Sequence, residues 1–305
     1  MQPTVQVKKL HTFTGHRGAV YALQSANAPH LFFSGAGDGL VVQWDLKNGG
    51  DGDLVAQVPN SIYAIHHLQE KNLLVVGQNY SGIHLIDYKD KKEVSSLQIT
   101  TSAIFDIHHF ENNLMVATGD GMITLVDLEK WAVKKRIAPS DKSARAIALN
   151  TVSGEVAVGF SDHFIRVFSL DDFQLKNEFK AHGNSVFALA YTPDQKFLLS
   201  GSRDARLKVW DVQADYRQVE EVVAHMYAIN HVTFSPEGKN FATCSMDKSI
   251  KVWDSRNLKL LKVIDKGRHA GHGTSVNKLL WTSFNHQLVS ASDDRSISAW
   301  DLLFL

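Results

Sequence analysis

The stretch Ala181–Val212 reads AHGNSVFALAYTPDQKFLLSGSRDARLKVWDV and divides into three short strands. The strand segments SVFALAY, FLLSGS and RLKVWDV are rich in β-branched and aromatic residues, and TPDQK and RDA supply the turns between them. A three-stranded antiparallel piece of this size cannot bury both of its faces alone. The stretch therefore predicts a structural unit that packs against neighbours of its own kind.

The sequence supplies such neighbours as near-copies of this stretch, which begin at Gly15, Ala224 and Gly271. In all four segments the opening His and the closing Trp are 28 positions apart. Three weaker copies follow the first, so that the closing Trp or its replacement falls at positions 44, 86, 126, 168, 210, 253 and 300. Seven repeats thus cover the chain from about Leu10 to Leu302.

This pattern resembles the WD40 repeat, which opens with GH or AH and closes with WD at a period of roughly 40–45 residues. The resemblance implies an all-β fold, a seven-bladed β-propeller of four-stranded antiparallel blades, and a single WD40 domain over residues 1–305. In this family the segment before the first GH supplies the outer strand of the last blade, so we expect Val5–Phe13 to close that blade. The repeats are predicted to end near Asp45, Asp87, Asp127, Ser169, Asp211, Asp254 and Asp301.

Composition narrows the classes of function. The formal net charge is zero, so no global field favours nucleic acid or an anionic membrane, and we expect neither as a partner. The one cysteine, Cys244, excludes a disulfide within the chain. The first residues lack the apolar core of a signal peptide, and no run approaches the roughly 18 apolar residues of a membrane span. We expect a soluble, intracellular protein of the cytoplasm.

Four repeats carry a His, a Ser or Thr, and an Asp at fixed offsets, the residue types of a catalytic triad. A triad is needed once, at a cleft, whereas this set recurs four times with a Trp at constant spacing. The WD40 resemblance implies instead a hydrogen-bonded structural tetrad in which buried polar groups satisfy one another. The four sets are His16, Ser34, Asp38 and Trp44; His182, Ser200, Asp204 and Trp210; His225, Thr243, Asp247 and Trp253; His272, Ser290, Asp294 and Trp300.

The middle repeats depart from this pattern. Repeat 2 has apolar or aromatic residues at all four positions, and repeats 3 and 4 keep only Asp120 and Asp162. We expect these three blades to rely on apolar packing. The positions in repeat 2 are Val58, Val76, Tyr80 and Ile86.

Metal and cofactor sites have little support in the sequence. The histidine pairs 66–67 and 108–109 occupy equivalent strand positions, but adjacent strand residues point to opposite faces, so neither pair chelates one metal simply. His66 and His108 could approach each other from neighbouring repeats, and whether they bind a metal stays open. Phosphate-cradling glycine loops, paired-cysteine zinc spacing and the GxSxG motif are absent from the sequence. We expect no metal and no cofactor.

A candidate partner site follows from the residue just after the first apolar position of each inner strand. In WD40 proteins this position rims the central channel on the face of the GH loops and contacts partners. The seven residues are Tyr21, Tyr63, Phe105, Arg145, Phe187, Asn230 and Asn277. The residue before each turn Asp lies on the same face by this resemblance, which adds Arg203 and Met246 to the site.

The residue types at these positions indicate the chemistry of the partner. Tyr21, Tyr63 and Phe105 come from consecutive repeats and are predicted to form an aromatic arc. Arg145 and Arg203 are predicted to flank Phe187. Aromatic residues and Arg are enriched at binding hot spots, and Arg pairs well with carboxylate and phosphate. An acidic or phosphorylated protein segment is the expected ligand.

We therefore expect a non-catalytic scaffold for a protein or peptide partner, monomeric as a fold, and whether it works as a subunit of a complex stays open. Two alternatives stay open at this point. The chain could be a structural subunit held in a larger assembly by its outer strands, or an enzyme with a site at the channel mouth. The segment between repeats 6 and 7, NLKLLKVIDKGRHAGHG, is longer than its equivalents and is expected to loop out on the face of the GH segments.

Overall fold

The computed structural model describes residues 5–305, which form 28 β-strands in seven sheets of four antiparallel strands. This is the all-β, seven-bladed β-propeller that the repeats predict. The described part begins with β1 (Val5–Phe13), and the other strands follow in blades numbered along the chain. A 3₁₀ helix at Gln69–Lys71 lies in blade 2, and the short helix α1 (Lys266–His269) precedes blade 7. Among residues 5–305 no helix is long and apolar enough to cross a membrane.

The strands are short and evenly spaced. Blade 1 holds β2 (Val20–Ser25), β3 (Leu31–Ala36), β4 (Leu40–Asp45) and β5 (Asp53–Gln57), and blade 2 holds β6 (Ile62–Leu68), β7 (Leu73–Gln78), β8 (Gly82–Asp87) and β9 (Lys92–Gln98). Blade 3 holds β10 (Ile104–Phe110), β11 (Asn113–Thr118), β12 (Ile123–Asp127) and β13 (Ala132–Ile137), and blade 4 holds β14 (Ala144–Asn150), β15 (Glu155–Phe160), β16 (Phe164–Ser169) and β17 (Leu175–Lys180). Blade 5 holds β18 (Val186–Tyr191), β19 (Phe197–Ser202), β20 (Arg206–Asp211) and β21 (Arg217–Val223), and blade 6 holds β22 (Ile229–Phe234), β23 (Asn240–Ser245), β24 (Ile250–Asp254) and β25 (Leu260–Ile264). Blade 7 holds β26 (Val276–Trp281), β27 (Leu288–Ser292) and β28 (Ile297–Phe304).

The fourth strand of blade 7 comes from the beginning of the chain. In the sheet order β1-β28-β27-β26, β1 pairs antiparallel with β28, from Val5 opposite Phe304 to Phe13 opposite Ile297. Both ends of β1 are buried, and the Phe13 ring lies 5.4 Å from the Trp44 ring, measured between centroids. The predicted closure of the last blade by the N-terminal strand is confirmed.

Burial along the strands explains their composition. The second strand of each blade has neighbours on both sides, and β15, EVAVGF, is buried at every position. The fourth strands lie at a sheet edge, and one of them, β13, AVKKRI, alternates strictly between exposed and half-buried residues. This period of two is that of a strand with one packed face and one solvated face. The lysines and arginines of these edge strands also disfavour pairing with other chains.

The chain divides by its internal contacts into two compact units. The first unit contains blades 1 and 7 and most of blades 2 and 6, and its apolar clusters include Phe13, Phe32 and Trp300. The second unit contains blades 3, 4 and 5, with clusters around Phe160 and Trp210. Each unit therefore has a hydrophobic core of its own, and each carries part of the predicted partner site.

Candidate functional site

The predicted partner-binding residues share one backbone feature. In blades 1 to 5 and in blade 7, the pairing of the first two strands shifts by one residue at the same place. Such a bulge leaves one residue out of the ladder and re-aims its side chain. The six bulge residues are Tyr21, Tyr63, Phe105, Arg145, Phe187 and Asn277. Sequence comparison selected these positions without revealing the bulge that makes them equivalent.

In the second compact unit, the structure brings three of these side chains together. The Arg145 guanidinium lies over the Phe105 ring at 4.0 Å from its centroid and near the Phe187 ring at 5.3 Å. Arg145 Nε also donates a hydrogen bond of 2.9 Å to Ser161 Oγ, from the neighbouring hairpin turn. A cation over an aromatic face is attracted by the ring quadrupole. Two rings and one hydroxyl therefore fix the position of this guanidinium.

In the first compact unit, the Tyr21 and Tyr63 rings meet edge to face, with centroids 4.6 Å apart. Burial, followed by the nearby Tyr63 and Asp293, raises the pKa of the Tyr21 hydroxyl. Asn277 Nδ2 donates to the Val20 carbonyl at 3.0 Å and to Asp293 Oδ1 at 2.8 Å. This part of the predicted site is aromatic, with an amide and a carboxylate beside it.

The remaining predicted site residues differ in exposure. Arg203 is exposed, and its guanidinium has neither an ion pair nor a hydrogen bond with any residue in the range 5–305. Met246 is 51 % exposed, and Asn230 is half-buried. Asn79, which precedes Tyr80 at the turn position of blade 2, is fully buried, and its Oδ1 accepts a bond of 2.8 Å from the Ile104 N–H.

The tetrad residues of blades 1, 5 and 7 lie in continuous hydrogen-bonded chains. In blade 5, Trp210 Nε1 and Ser200 Oγ are 2.8 Å apart, Ser200 Oγ and His182 Nε2 are 2.8 Å apart, and His182 Nδ1 lies 3.1 Å from Asp204. A neutral histidine protonated at Nδ1 satisfies both neighbours, because it donates to the carboxylate and accepts from the hydroxyl. The equivalent contacts in blades 1 and 7 have the same lengths to within 0.1 Å.

Blade 6 carries the same four residue types. Trp253 Nε1 donates to Thr243 Oγ1 at 2.9 Å, and His225 is buried. Asp247 Oδ1 accepts from the N–H and the hydroxyl of Ser249, at 3.0 Å and 2.6 Å. The aspartate therefore holds the turn of its own hairpin, as Asp294 does by accepting from Ser296 in blade 7.

Blades 3 and 4 replace the histidine with a hydroxyl that the sequence analysis missed. Thr100 Oγ1 donates to Asp120 Oδ2 at 3.0 Å, and Thr118 Oγ1 donates to Asp120 Oδ1 at 2.5 Å. Ser140 Oγ donates to Asp162 Oδ2 at 2.7 Å. These two blades thus retain polar links to the turn aspartate in addition to apolar packing. In repeat 4 the available signal was Ser140, which lies 28 positions before Phe168, whereas Thr100 lies 26 positions before Val126 and falls outside the regular spacing.

Blade 4 adds a buried arginine to this link. Arg166 Nη1 donates to Asp162 at 2.8 Å, and Arg166 Nε donates to Glu178 at 2.5 Å. The guanidinium also lies 4.7 Å from the centroid of the Phe160 ring. In blade 2 the positions of the tetrad His, Ser and Trp hold the apolar residues Val58, Val76 and Ile86, all three of which are buried.

The family model described as WD domain, G-beta repeat matches residues 7–45, 173–211, 217–254 and 263–301, which together make up more than half of the chain. The chain belongs to the WD40 repeat family. The four matches coincide with the blades that carry His, Asp and Trp, and the intervening residues 46–172 contain the blades that lack this set. WD40 propellers are generally non-catalytic scaffolds that bind protein partners.

Several curated proteins resemble the chain at low identity. Protein lethal(2)denticleless of Drosophila melanogaster is 24 % identical over 68 % of this chain and 28 % of its own length. The 66 kDa stress protein of Physarum polycephalum is 26 % identical over 95 % of this chain and 47 % of its own. WD repeat-containing protein 81 of Homo sapiens is 24 % identical over 66 % of this chain and 11 % of its own. The chain thus spans less than half the length of each of these relatives.

The paired histidines have separate environments in this WD40 chain. His67 is buried, its Nδ1 lies 3.1 Å from the Ser25 carbonyl oxygen, and burial lowers its pKa. His108 Nε2 lies 3.4 Å from Asp106 Oδ1. Among the described residues, no cluster of three or more His, Cys, Asp or Glu side chains could hold a metal ion. His67 therefore packs in the protein core, with its ring near Phe33 and Tyr88.

The tetrad aspartates of this WD40 chain should give it a measurable pH dependence. Burial opposes ionisation of Asp204, but hydrogen bonds from His182, Gly183 and Arg206 outweigh it and hold the pKa of the carboxyl well below its usual range. A depressed pKa contributes stability above the unfolded value of about 4, which is lost as the pH falls through the folded value. We expect Asp204→Asn to lower the free energy of unfolding by about 1–3 kcal/mol at pH 7, with the difference shrinking below about pH 4.

Urea unfolding of the parent and the variant at several pH values measures this difference. Asp90→Asn is the matched control, because Asp90 is exposed and its carboxylate has no partner within residues 5–305. If the difference in free energy of unfolding between the parent and Asp204→Asn stays constant down to pH 2, the pH dependence does not come from this carboxylate.

Proposed function

We propose that this chain is a non-catalytic scaffold that binds an acidic or phosphorylated segment of a protein partner through its bulge residues. The observation that supports the proposal most is the position of Arg145 between Phe105 and Phe187. An arginine whose side chain is already held in place before the ligand binds loses less side-chain entropy on binding a carboxylate or phosphate. The partner is identified by the affinity purification described below.

Arg203 supplies a second cation in the same compact unit. Its backbone N–H donates to the Ser185 carbonyl at 3.0 Å, which ties the hairpin turn of blade 5 to the segment before Phe187. Its exposed side chain can reorient toward an anionic ligand, whereas Arg145 is fixed by its rings. One pre-positioned and one mobile guanidinium suit a ligand with more than one negative group.

Tyr21 and Tyr63 supply an aromatic contact in the first unit. Both rings are half-buried, so each can still cover an apolar side chain of a ligand. Tyrosine offers a large contact area at low entropic cost and a hydroxyl for hydrogen bonds, which explains its frequency at binding hot spots. This pair is proposed to bind a bulky side chain of the partner.

The absence of catalysis is part of the proposal. His182 and Ser200 have the residue types of a hydrolase site, but both are buried, and the histidine is 3 % exposed. The same tetrad occurs in blades 1, 5 and 7, and its hydrogen bonds have nearly the same lengths in all three. This repetition supports a structural role. A fluorophosphonate probe should leave Ser200 unmodified in the folded protein, and labelling of Ser200 would overturn this assignment.

The test of the binding site uses a partner captured from the native host by affinity purification and identified by mass spectrometry. We expect Arg145→Glu/Arg203→Glu to reduce affinity by at least tenfold at low salt and by less at high salt, because exposed charges are screened. Arg217→Glu/Lys180→Glu makes the same change of charge on the fourth strands of the same unit and should bind like the parent.

Tyr21→Ala/Tyr63→Ala is expected to bind the partner more weakly at every salt concentration, since the contact made by the two rings is apolar. Circular dichroism and thermal melting establish that each variant is folded. If both site variants are folded and bind like the parent, the partner uses another surface and the proposed site is wrong. A partner lost only on changing outer-strand residues would instead support a structural subunit.

A further inference from the structure

The connection between blades 6 and 7 is the longest between consecutive blades. Residues 265–275 link β25 to β26, whereas residues 58–61 link β5 to β6 and residues 224–228 link β21 to β22. The additional residues form α1 and the turn after it. We call residues 265–271 the insert. It lies in the first compact unit and contains none of the bulge residues.

The insert is a folded element held by several bonds. Asp265 Oδ1 accepts from the Arg268 N–H at 2.9 Å, and Asp265 Oδ2 accepts from Arg268 Nε at 2.9 Å. The Gly271 N–H donates to the Asp265 carbonyl at 3.2 Å. From outside, Lys9 Nζ on β1 donates to the Ala270 carbonyl at 2.9 Å. A surface segment with this many bonds holds its backbone in a defined conformation.

The charges on and beside the insert are mostly positive. Lys262 lies on β25 just before it, and Lys266 and Arg268 lie within it. Asp265 is its one acidic residue, and Arg268 already pairs with it. Lys262 and Lys266 form no ion pair and no side-chain hydrogen bond with the rest of residues 5–305. Lys266 also extends beside the GH loop of blade 7, because a Cβ on Gly273 would lie 3.4 Å from Lys266 Nζ.

The backbone hydrogen bonds and the lysines of the insert favour an extended acidic ligand over a compact phosphate. A phosphate cradle needs converging backbone N–H groups, but the Arg268 N–H of α1 is occupied by Asp265. Lysines on flexible stems act as separate point charges and suit several carboxylates spread along a chain. The zero net charge of the protein gives no long-range attraction for nucleic acid.

We infer that the insert, with Lys262 and Lys266 as its contacts, is a docking surface for an acidic polypeptide segment rich in Asp and Glu. This surface is independent of the proposed site at the bulge residues, which uses other side chains. It gives the first compact unit a binding element that the regular WD40 repeat does not contain.

The experiment measures fluorescence polarisation of a fluorescein-labelled octaglutamate peptide, with an octaglutamine peptide as the uncharged comparison. Lys262→Gln/Lys266→Gln should weaken octaglutamate binding about fivefold to tenfold at low salt, because it removes the charges of the half-buried Lys262 and the exposed Lys266. Lys47→Gln/Lys71→Gln removes two exposed lysines of the same unit and should bind like the parent. All variants are on the surface and should melt at the parent temperature.

Three outcomes overturn the inference. Equal affinity in Lys262→Gln/Lys266→Gln and the parent shows that the peptide binds elsewhere. A loss confined to Arg145→Glu/Arg203→Glu assigns the peptide to the bulge residues, in which case the proposed function stands and the insert does not bind it. Displacement by inorganic tripolyphosphate as effective per charge as by octaglutamate identifies a general anion surface instead of a polypeptide site.

Discussion

Deletion of residues 1–13 is expected to leave a protein that aggregates or loses most of its stability. The deletion removes β1, the fourth strand of blade 7, together with residues 1–4, which lie outside the described part of the chain. It uncovers the polar edge of β28 along its paired length, from Ile297 to Phe304. An unpaired strand edge is a template for association with other chains. Loss of the buried Phe13 side chain alone should cost roughly 1.5–3 kcal/mol.

Thermal melting followed by circular dichroism, with light scattering for aggregation, measures this effect. A synthetic peptide of residues 5–13 supplied to the shortened protein should restore part of the melting temperature, whereas a scrambled peptide should not. If the shortened protein melts at the temperature of the full chain, β1 is not needed for blade 7 and the closure argument fails.

Trp210→Ala is expected to lower the free energy of unfolding by about 3–5 kcal/mol, the usual cost of truncating a buried tryptophan. Trp210 is 4 % exposed, its ring centroid lies 4.7 Å from that of Phe179, and its indole N–H bonds to Ser200. The substitution removes the ring from the core and one hydrogen bond from the tetrad of blade 5. Trp210→Phe keeps an aromatic ring and should cost less.

Urea unfolding of the two variants separates packing from hydrogen bonding. Ser200→Ala gives the matched comparison, because it removes the hydroxyl that accepts from Trp210 and leaves the ring in place. We expect the free energy of unfolding to be lowest in Trp210→Ala, higher in Trp210→Phe and highest in the parent. A loss below 1 kcal/mol in Trp210→Ala would show that this tetrad contributes little to the stability of its blade.

The fold was predictable because its signal is repeated. The constant spacing from His16 to Trp44, and again in three later repeats, sets the positions of three strands and their turns, and the regular step between successive closing positions sets the length of each blade. Even the degenerate repeats kept their apolar strands and turn residues, since packing against two neighbours demands them. The position of the N-terminal strand was predictable from the WD40 resemblance, which implies that the segment before the first GH closes the last blade, and β1 does so.

The details of the candidate site were less predictable, because they depend on contacts between repeats. No local pattern indicates that Arg145 lies between two phenylalanines of other blades, one before and one after its own. Similarly, Arg166 in blade 4 takes a polar role at a strand position where blade 1 has Val42. A comparison of the repeats by residue type does not reveal such substitutions. The bulge was also missed, since a one-residue shift in pairing leaves no mark on composition.

The pairing of β1 with β28 has a consequence for the order of folding. Among the strands of residues 5–305, β1 precedes all others in the chain and its partner β28 follows all others, so blade 7 has the longest loop to close. Loop-closure entropy grows only slowly with length, so the completed pairing need not be weak, but contacts this distant in sequence form late. Until then β1 and β28 can each meet the corresponding strand of a second molecule. At high concentration, refolding should therefore yield a fraction of strand-exchanged dimers, in which each copy completes the last blade of the other.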